Sequence, residues 1–321
     1  IFRPAPVKAL EDTARLRATP RHYAYLKISE GCDRLCTFCA IPQMRGKHVS
    51  KPVEEILREA RELADDGARE LCLVAQDSTY YGIDLYGEAR LAPLLRELDQ
   101  LDGIDWIRLH YAYPAHVTDE LVKTLADSRK IVPYIDMPLQ HISDRVLRRM
   151  NRKTTRAATE DILHRLRAGI PGLVLRSTFL VGFPGETEAE YEELVEWVRE
   201  AKIERLGVFA YSHEPTTPSA KMEGAVPEDE KARRRDHLMA VQQEVAFAHA
   251  RSRVGQTLPV MIDGPDPEMP GWHLGRTMAD APDIDPVARI KSKALESGTI
   301  IQAEITGSDG YDLMGKPARR R

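Results

Sequence analysis

The sequence predicts an α/β domain built on a parallel sheet, followed by a small all-β barrel. Up to residue 211, short apolar runs alternate with longer amphipathic stretches, which is typical of strand–helix units in a parallel sheet. After Pro227 the pattern favours one long charged helix. From Gly255 to Pro317, short β-like runs are separated by Gly, Pro and Asp, as in small β-barrels. A length of 321 residues also suits about two domains.

Apolar runs bounded by turn residues mark the strands of the first domain. The predicted strands are Tyr25–Ile28, Leu71–Ala75, Trp106–Leu109, Val132–Asp136, Leu173–Phe179 and Leu206–Tyr211. The predicted helices are Val53–Asp66, Leu91–Leu101, Thr118–Ala126, Ser143–Met150, Thr155–Ala168 and Glu188–Ala201, with start signals at Pro52, Pro93 and Thr187. Six such units are too few for a closed eight-stranded barrel, but they fit a doubly wound sheet or an open barrel.

The same patterns predict the domain boundaries. Residues 1–22 form a linker, 23–227 the α/β core, 228–254 a connecting helix, 255–317 the β-barrel and 318–321 a tail. The barrel strands are predicted at Leu258–Ile262, His273–Met278, Ala288–Ile290, Thr299–Ile305 and Tyr311–Met314. Because the chain starts at Ile1 and not at Met, we expect a fragment whose N-terminal part is missing.

Three clustered cysteines indicate the chemistry. Cys32, Cys36 and Cys39 directly follow the first predicted strand, and three thiolates on one short loop can hold three irons of a [4Fe–4S] cluster. The fourth iron then stays open to an outside ligand, in a site suited to one-electron chemistry. A zinc ion held by the trio and His48 is the alternative. A disulfide does not explain the pattern, since three thiols leave one unpaired.

Composition excludes several classes of protein. The net charge of −4 argues against binding nucleic acid by bulk electrostatics. Only Cys72 lies outside the trio, so no disulfide framework is predicted, and reduced thiols indicate a cytoplasmic protein. We predict no membrane span, because the best apolar run, Gly172–Phe183, is short and contains Arg176. No signal peptide is predicted.

Further candidate residues lie at predicted strand ends. Phe38 could cover a cluster or stack on an adenine, or simply pack within its loop. The run from Val181 to Glu186 could bring its backbone close to a ligand through Gly182, although without the cysteine context a plain turn explains it better. Polar side chains at strand ends can be ordinary turn formers, and an arginine in a strand can form a structural ion pair. As a set, the candidate cofactor contacts are Phe38, Gln76, Gln140, Arg176, Gly182 and Glu186.

These residues resemble a known family. The Cys-x3-Cys-x2-Cys spacing is similar to that of the radical S-adenosylmethionine (SAM) superfamily. The longer runs resemble its methylthiotransferases, and the matching segments are Ser29–Cys32, Cys39–Pro42, Arg45–Gly46 and Phe179–Thr187. Other runs resemble the branch that modifies an aspartate of ribosomal protein S-twelve more than the transfer RNA branch: Gln76–Asp77, Tyr81–Gly82, Arg108–Tyr111, Pro138–His141 and Gly275–Pro282.

The resemblance implies a fold, cofactors and partners. It implies an open (β/α)6 radical SAM domain, a partial TIM barrel, followed by an OB-like barrel of the TRAM type. The three cysteines would hold a [4Fe–4S] cluster with SAM on its open iron. A second [4Fe–4S] cluster would lie on an N-terminal domain. The substrate would be the β-carbon of an aspartate of ribosomal protein S-twelve, the electron donor a flavodoxin or ferredoxin, and the enzyme a monomer.

Charge supports a basic protein substrate. The segment Gly255–Pro317 has ten acidic and five basic residues, a net charge of −5, which suits a basic ribosomal protein better than a phosphate backbone. Asp280 and Asp283 are the residues predicted to meet that partner; the alternative is an acidic surface kept for solubility. Two alternatives stay open: methylthiolation of an adenosine in transfer RNA, and a non-catalytic, metal-stapled module that binds the ribosome.

Overall fold

The computed structural model describes residues 17–319. Its strands up to residue 210 are β1 (Tyr23–Lys27), β2 (Ser29–Glu30), β3 (Val49–Ser50), β4 (Glu70–Val74), β5 (Trp106–Leu109), β6 (Ile131–Asp136), β7 (Val174–Val181) and β8 (Arg205–Ala210). The helices in this stretch are α1 (Ile41–Arg45), α2 (Val53–Asp65), α3 (Ile83–Tyr86), α4 (Leu91–Asp99), α5 (Asp119–Asp127), α6 (Asp144–Arg149), α7 (Arg156–Gly169) and α8 (Glu188–Ala201). Every predicted strand and helix of this domain is present within two residues of its predicted ends.

The parallel strands form an open barrel. Within residues 17–319 the sheet has the order β1-β4-β5-β6-β7-β8, and β1 and β8 do not pair with each other. Because the order follows the chain without reversal, the doubly wound alternative is wrong and the open (β/α)6 barrel is confirmed. Apolar side chains on the outer face of the sheet pack against the helices; Leu26, Leu71, Ile107 and Leu194 are fully buried in this core. Because the strands are parallel, their carboxyl ends all lie on one side of the domain.

The C-terminal part is a second, closed barrel. Helix α9 (Glu228–Ser252) packs against β8 and leads into β9 (Thr257–Pro265), β10 (Trp272–Thr277), β11 (Ala288–Lys291), β12 (Ile300–Asp309) and β13 (Asp312–Pro317). In the described part of the chain these strands close in the order β10-β11-β13-β12-β9. The predicted small β-barrel is thus confirmed.

Between residues 17 and 319, no helix combines the length and the apolar character needed to cross a bilayer.

The β-barrel closes the lower end of the open barrel. Its segment from Thr277 to Asp285, here called the plug, meets residues near the amino ends of the parallel strands, on the side opposite the cysteine loop. The polar contacts join Tyr23 Oη to Asp283 (2.7 Å), Arg108 Nη1 to the Met278 carbonyl (2.8 Å), Tyr134 Oη to Asp285 (2.7 Å) and Arg205 Nη2 to Asp280 (2.6 Å). Met261, Ala279 and Ala281 add apolar contacts with Trp106 and Tyr134.

The plug corrects the prediction for Asp280. Asp280 is buried and paired with Arg205, and the Asp283 carboxylate accepts a hydrogen bond from Tyr23. Both carboxylates stabilise the contact between the two barrels, and the buried Asp280 is not free to meet a basic partner. The count of charges in the sequence could not show this, because their partners lie more than 70 residues away along the chain.

Candidate functional site

The cysteine loop lies at the carboxyl end of the parallel sheet. Gly31 turns the chain there with a φ of +75°, and a Cβ at this position would lie 2.1 Å from the Lys47 carbonyl oxygen, so only glycine fits. The loop is then fixed from the side of α6, because the Thr37 amide donates to the Met150 carbonyl (3.0 Å) and its hydroxyl to the Arg149 carbonyl (2.9 Å). The trio is thus held on the rigid rim of the barrel.

The three thiols share one cleft. Cys32, Cys36 and Cys39 line a cavity of about 530 Å³, a size suited to a nucleoside cofactor. Cys32 and Cys36 are buried and Cys39 is half-buried. Burial raises the pKa of Cys32 to about 11 and also raises the pKa of Cys39. Since thiolates are the form that binds metal, a bound metal must displace these protons.

The opposite wall of the cleft offers hydrogen-bonding groups. Gln76 donates from Nε2 to Glu30 (3.0 Å), while its Oε1 is buried without a partner in the described chain. Glu30 also accepts from Lys27 Nζ (2.9 Å). Gln140 and Tyr111 have left-handed backbones, with φ of 74° and 58°, which are uncommon for residues with side chains. Such strain is concentrated at ligand sites, and both residues line the cleft.

The structure brings together only part of the predicted set. Phe38, Gln76 and Gln140 line the cleft with the three cysteines, whereas Arg176, Gly182 and Glu186 do not. Phe38 also packs beside Met150 and Phe183, so its packing and cofactor interpretations are compatible.

Arg176 lies deeper in the barrel than predicted. Its guanidinium is 3.4 Å from Asp136 and 3.5 Å from Asp285 of the plug. The pKa of Arg176 is raised, since these carboxylates outweigh the opposing effect of burial. Arg176 is the third residue of β7, and this position along the strand sets how deep its side chain lies in the barrel. The apolar pattern of the sequence did not predict that depth. In this structure Arg176 is a structural ion-pair residue between the barrels.

Gly182 and Glu186 serve a turn beside α9. A Cβ on Gly182 would lie 2.4 Å from Lys231 Cγ, so a helix side chain, and not a ligand, approaches this glycine. The Glu186 carboxylate accepts from the Gly182 and Phe183 amides and pairs with His141 at 3.2 Å. The Glu186 carboxylate is therefore already occupied by contacts within the protein and is not available to a cofactor. The turn interpretation fits both residues.

The donor set fits an iron–sulfur cluster better than zinc. In residues 17–319, no three His, Cys, Asp or Glu side chains converge closely enough for a single metal ion. His48 donates or accepts at Ser50 Oγ (3.1 Å) and does not line the cleft, so the trio lacks the fourth ligand that a structural zinc requires. A four-iron cluster is larger than one ion and needs only these three cysteines. The partnerless Gln76 Oε1 suits an amine of a second ligand.

Comparisons with known proteins agree with this arrangement. Residues 26–198 match the model of the radical SAM superfamily, and residues 254–317 match the TRAM domain. The chain is 48% identical over 307 residues to "Ribosomal protein uS12 methylthiotransferase RimO" of Thermoanaerobacter sp. (strain X514), covering 95% of this chain and 70% of that protein. The chain belongs to the radical SAM methylthiotransferase family. Membership implies a [4Fe–4S] cluster and SAM as cofactors.

Other relatives of this methylthiotransferase carry the same name. The protein of Symbiobacterium thermophilum is 47% identical over 94% of this chain and 63% of its own length. That of Anaeromyxobacter sp. (strain K) is 49% identical over 96% of this chain and 66% of its own length. The chain thus spans about two thirds of the length of these relatives.

Solved structures support the fold of the methylthiotransferase. Coproporphyrinogen III oxidase (HemN) from Escherichia coli superimposes with a TM-score of 0.54 at 20% identity, covering 72% of this chain and 54% of that one. The methyltransferase TsrM from Kitasatospora setae gives 0.54 at 16% identity, covering 81% and 46%. Both are described as radical SAM enzymes. At these identities the likeness concerns the fold alone.

Several cleft residues of the methylthiotransferase escaped sequence reasoning. Lys27, Arg34, Tyr111, Tyr113 and Arg152 all line the cavity. Tyr111 falls in a run that carries the family resemblance, and Lys27 lies near the end of the predicted strand Tyr25–Ile28, so both had a weak signal. No sequence signal marked Arg152 as a cleft residue, because it follows α6 and lies far from the cysteines in sequence.

We expect Gln140→Ala to weaken SAM binding by about tenfold without loss of iron. Its amide lines the cleft, and one lost hydrogen bond to a charged group is worth about 1.5 kcal/mol. Equilibrium dialysis of labelled SAM against the anaerobically reconstituted chain measures the change. Glu192→Gln on α8 is the matched control, since this exposed residue lies outside the cleft lining. Unchanged SAM affinity in Gln140→Ala would remove this residue from the cofactor site.

Proposed function

We propose that this chain carries the radical step of methylthio transfer to the β-carbon of an aspartate of ribosomal protein S12. The observation that carries the proposal is the convergence of the three cysteines, Phe38 and Gln76 on one cleft at the carboxyl end of an open barrel. Relatives named as ribosomal protein uS12 methylthiotransferases align over nearly all of the chain. We place the protein in the cytoplasm, acting as a monomer with a flavodoxin or ferredoxin as electron donor.

The chain's own residues would position both cofactors. Cys32, Cys36 and Cys39 hold the [4Fe–4S] cluster and leave one iron open. Gln76 Oε1 and the Gln140 amide bind polar groups of SAM, and Phe38 covers its adenine or the cluster. When bound, these cofactors would supply the one-electron chemistry that removes a hydrogen atom from the substrate carbon and releases 5′-deoxyadenosine. The plug contacts Tyr134 and Arg205 at the end of the barrel opposite the cysteine loop, so substrate would reach the cleft from the side of the carboxyl ends.

Sulfur insertion requires more than this cleft. The methylthio group would come from a second [4Fe–4S] cluster, and Cys72 is the only cysteine of the sequence outside the trio. Cys72 is fully buried in β4, and burial raises the pKa of its thiol, as expected for an inert core cysteine. The radical step, and not the complete transfer, is therefore the activity to measure on this chain.

Hydrogen abstraction tests the proposal directly. A peptide of ribosomal protein S12 with deuterium on the β-carbon of the target aspartate is incubated with the reconstituted chain, SAM and dithionite. We expect 5′-deoxyadenosine that carries deuterium. The same peptide with deuterium on the neighbouring residue is the control and should give unlabelled product. Unlabelled 5′-deoxyadenosine from the aspartate-labelled peptide at saturating concentration would contradict the proposed substrate.

The two alternatives give different results in the same assay. Deuterium transferred only from a labelled adenosine of transfer RNA would identify the transfer RNA activity. Absence of any 5′-deoxyadenosine from a chain that holds iron would favour the non-catalytic module that binds the ribosome. Asp280 does not contribute to an acidic surface that could distinguish the substrates, because it is buried against Arg205.

A further inference from the structure

Arg152 is a buried cation without an acidic partner. The residue is only 8% exposed, yet no Asp or Glu among residues 17–319 forms an ion pair with it. Its Nη2 donates to the Pro138 carbonyl (2.6 Å), and its Nε is buried without a partner. The remaining donor, Nη1, lies 3.8 Å from Cys36 Sγ. Burying a guanidinium that contacts only neutral groups costs free energy. A negative charge on the Cys36 sulfur would offset this cost.

The backbone holds Arg152 in this position. Asn151 adopts a left-handed conformation (φ 55°), which ends α6 and turns the chain towards the cysteine loop. The Asn151 side chain donates to the Leu35 carbonyl (2.7 Å), and the Arg152 amide donates to the Leu147 carbonyl (2.8 Å). Arg152 and the cysteine loop are therefore fixed to each other, and the contact with Cys36 does not depend on a mobile side chain alone.

Arg34, which lies beside Arg152 in the cleft, has the acidic partner that Arg152 lacks. Arg34 and Arg152 both lie against the ring of Tyr113, with guanidinium carbons 4.4 and 4.3 Å from its centroid. Arg34 is neutralised by Asp77 at 2.9 Å. Arg152 has no such carboxylate, and Cys36 occupies the place where one would be expected. The cleft therefore keeps one net positive charge beside the cysteine trio.

We propose that Arg152 is the counter-charge of the cluster and raises its reduction potential. This inference rests on the proposed function in one respect, namely that the trio holds a [4Fe–4S] cluster. Cluster and thiolates together are negative, and the negative charge grows by one when the cluster accepts an electron. A fixed cation in contact with a ligand sulfur stabilises the reduced form more than the oxidised form. Arg152 is thus a positioning residue that sets how readily the cluster is reduced.

A potentiometric titration of the reconstituted chain, followed by electron paramagnetic resonance with dithionite as the one-electron donor, tests this role. We expect Arg152→Gln to lower the ratio of reduced to oxidised cluster at fixed potential about tenfold, a shift of about 59 mV to more negative potential for a one-electron couple. Arg152→Lys, which keeps the charge, should shift less. Arg148→Gln removes a charge from an exposed position on α6 and should leave the potential unchanged.

Thermal unfolding gives a second readout that does not depend on redox chemistry. Without the cluster, Arg152→Gln removes an uncompensated buried charge and should raise Tm; with the cluster, it should lower Tm. A merely structural role would lower Tm in both states. If Arg152→Gln does not retain iron, two measurements still test the inference. They are the Tm of the cluster-free parent and variant, and the reduction potential of Arg152→Lys. Equal potentials in the parent and both variants would overturn the inference, whereas failure of the parent chain to bind any cluster would instead overturn the proposed function.

Discussion

Replacing Cys36 by alanine should abolish both the iron of the reconstituted chain and its cleavage of SAM. Cys36 lies between the other two cysteines on the loop and contacts Arg152, so its loss removes one of three ligands and the charge that Arg152 faces. Two cysteines cannot hold a four-iron cluster with one open iron. Iron and sulfide analysis after anaerobic reconstitution, with release of 5′-deoxyadenosine, measures the effect. We expect both to fall to background.

Cys72→Ala is the matched control for this experiment. Cys72 is the one cysteine of the sequence outside the trio, is fully buried in β4 and does not line the cleft. Its replacement should leave the iron content unchanged and cost only the packing of a small side chain. Four irons retained in Cys36→Ala, or a stoichiometric zinc in place of iron in the parent chain, would contradict the cluster.

Glu70→Gln should lower the free energy of unfolding by about 3–5 kcal/mol, the usual cost of breaking a buried charge network. Glu70 is fully buried and accepts from Arg108 Nε (2.8 Å) in the open barrel and from Arg276 of the β-barrel. Arg276 also pairs with Asp263 at 3.0 Å. An amide would leave Arg108 buried without any carboxylate and would weaken the junction of the two barrels. Urea unfolding at neutral pH measures the loss.

An exposed pair and the pH dependence provide the controls. Glu62→Gln breaks the ion pair with Arg58 on the surface of α2 and should change the free energy of unfolding by less than about 0.5 kcal/mol. Burial opposes ionisation of Glu70, but Arg108 and Arg276 hold its pKa below the usual value. The stabilisation by Glu70 is therefore complete above the unfolded pKa of about 4.3 and is lost as pH falls through the lower folded pKa. A Glu70→Gln variant as stable as the parent at neutral pH would contradict the network.

The amino-acid sequence by itself determined the order and type of the elements and the location of the cysteine loop. Apolar periodicity is a local property, and it predicted the six parallel strands and the six longer helices of the first domain to within two residues, but not the short elements β2, β3, α1 and α3. Parallel strands bring their carboxyl ends to one side, and in the structure Phe38, Gln76 and Gln140 line one cleft with the cysteines, while their contact with a cofactor stays a prediction.

Only the tertiary structure decided how deep each side chain lies in the barrel and which charges pair. Arg176 looked like a cleft residue, but its height on β7 places it against Asp136 and Asp285. Asp280 looked like a surface charge, but the plug buries it against Arg205. Arg152 reaches Cys36 across more than 100 residues of sequence. Local spacing specifies which face of a strand or helix a residue occupies, whereas ion pairs and cleft contacts depend on where distant segments pack, and that is fixed only when the whole chain folds.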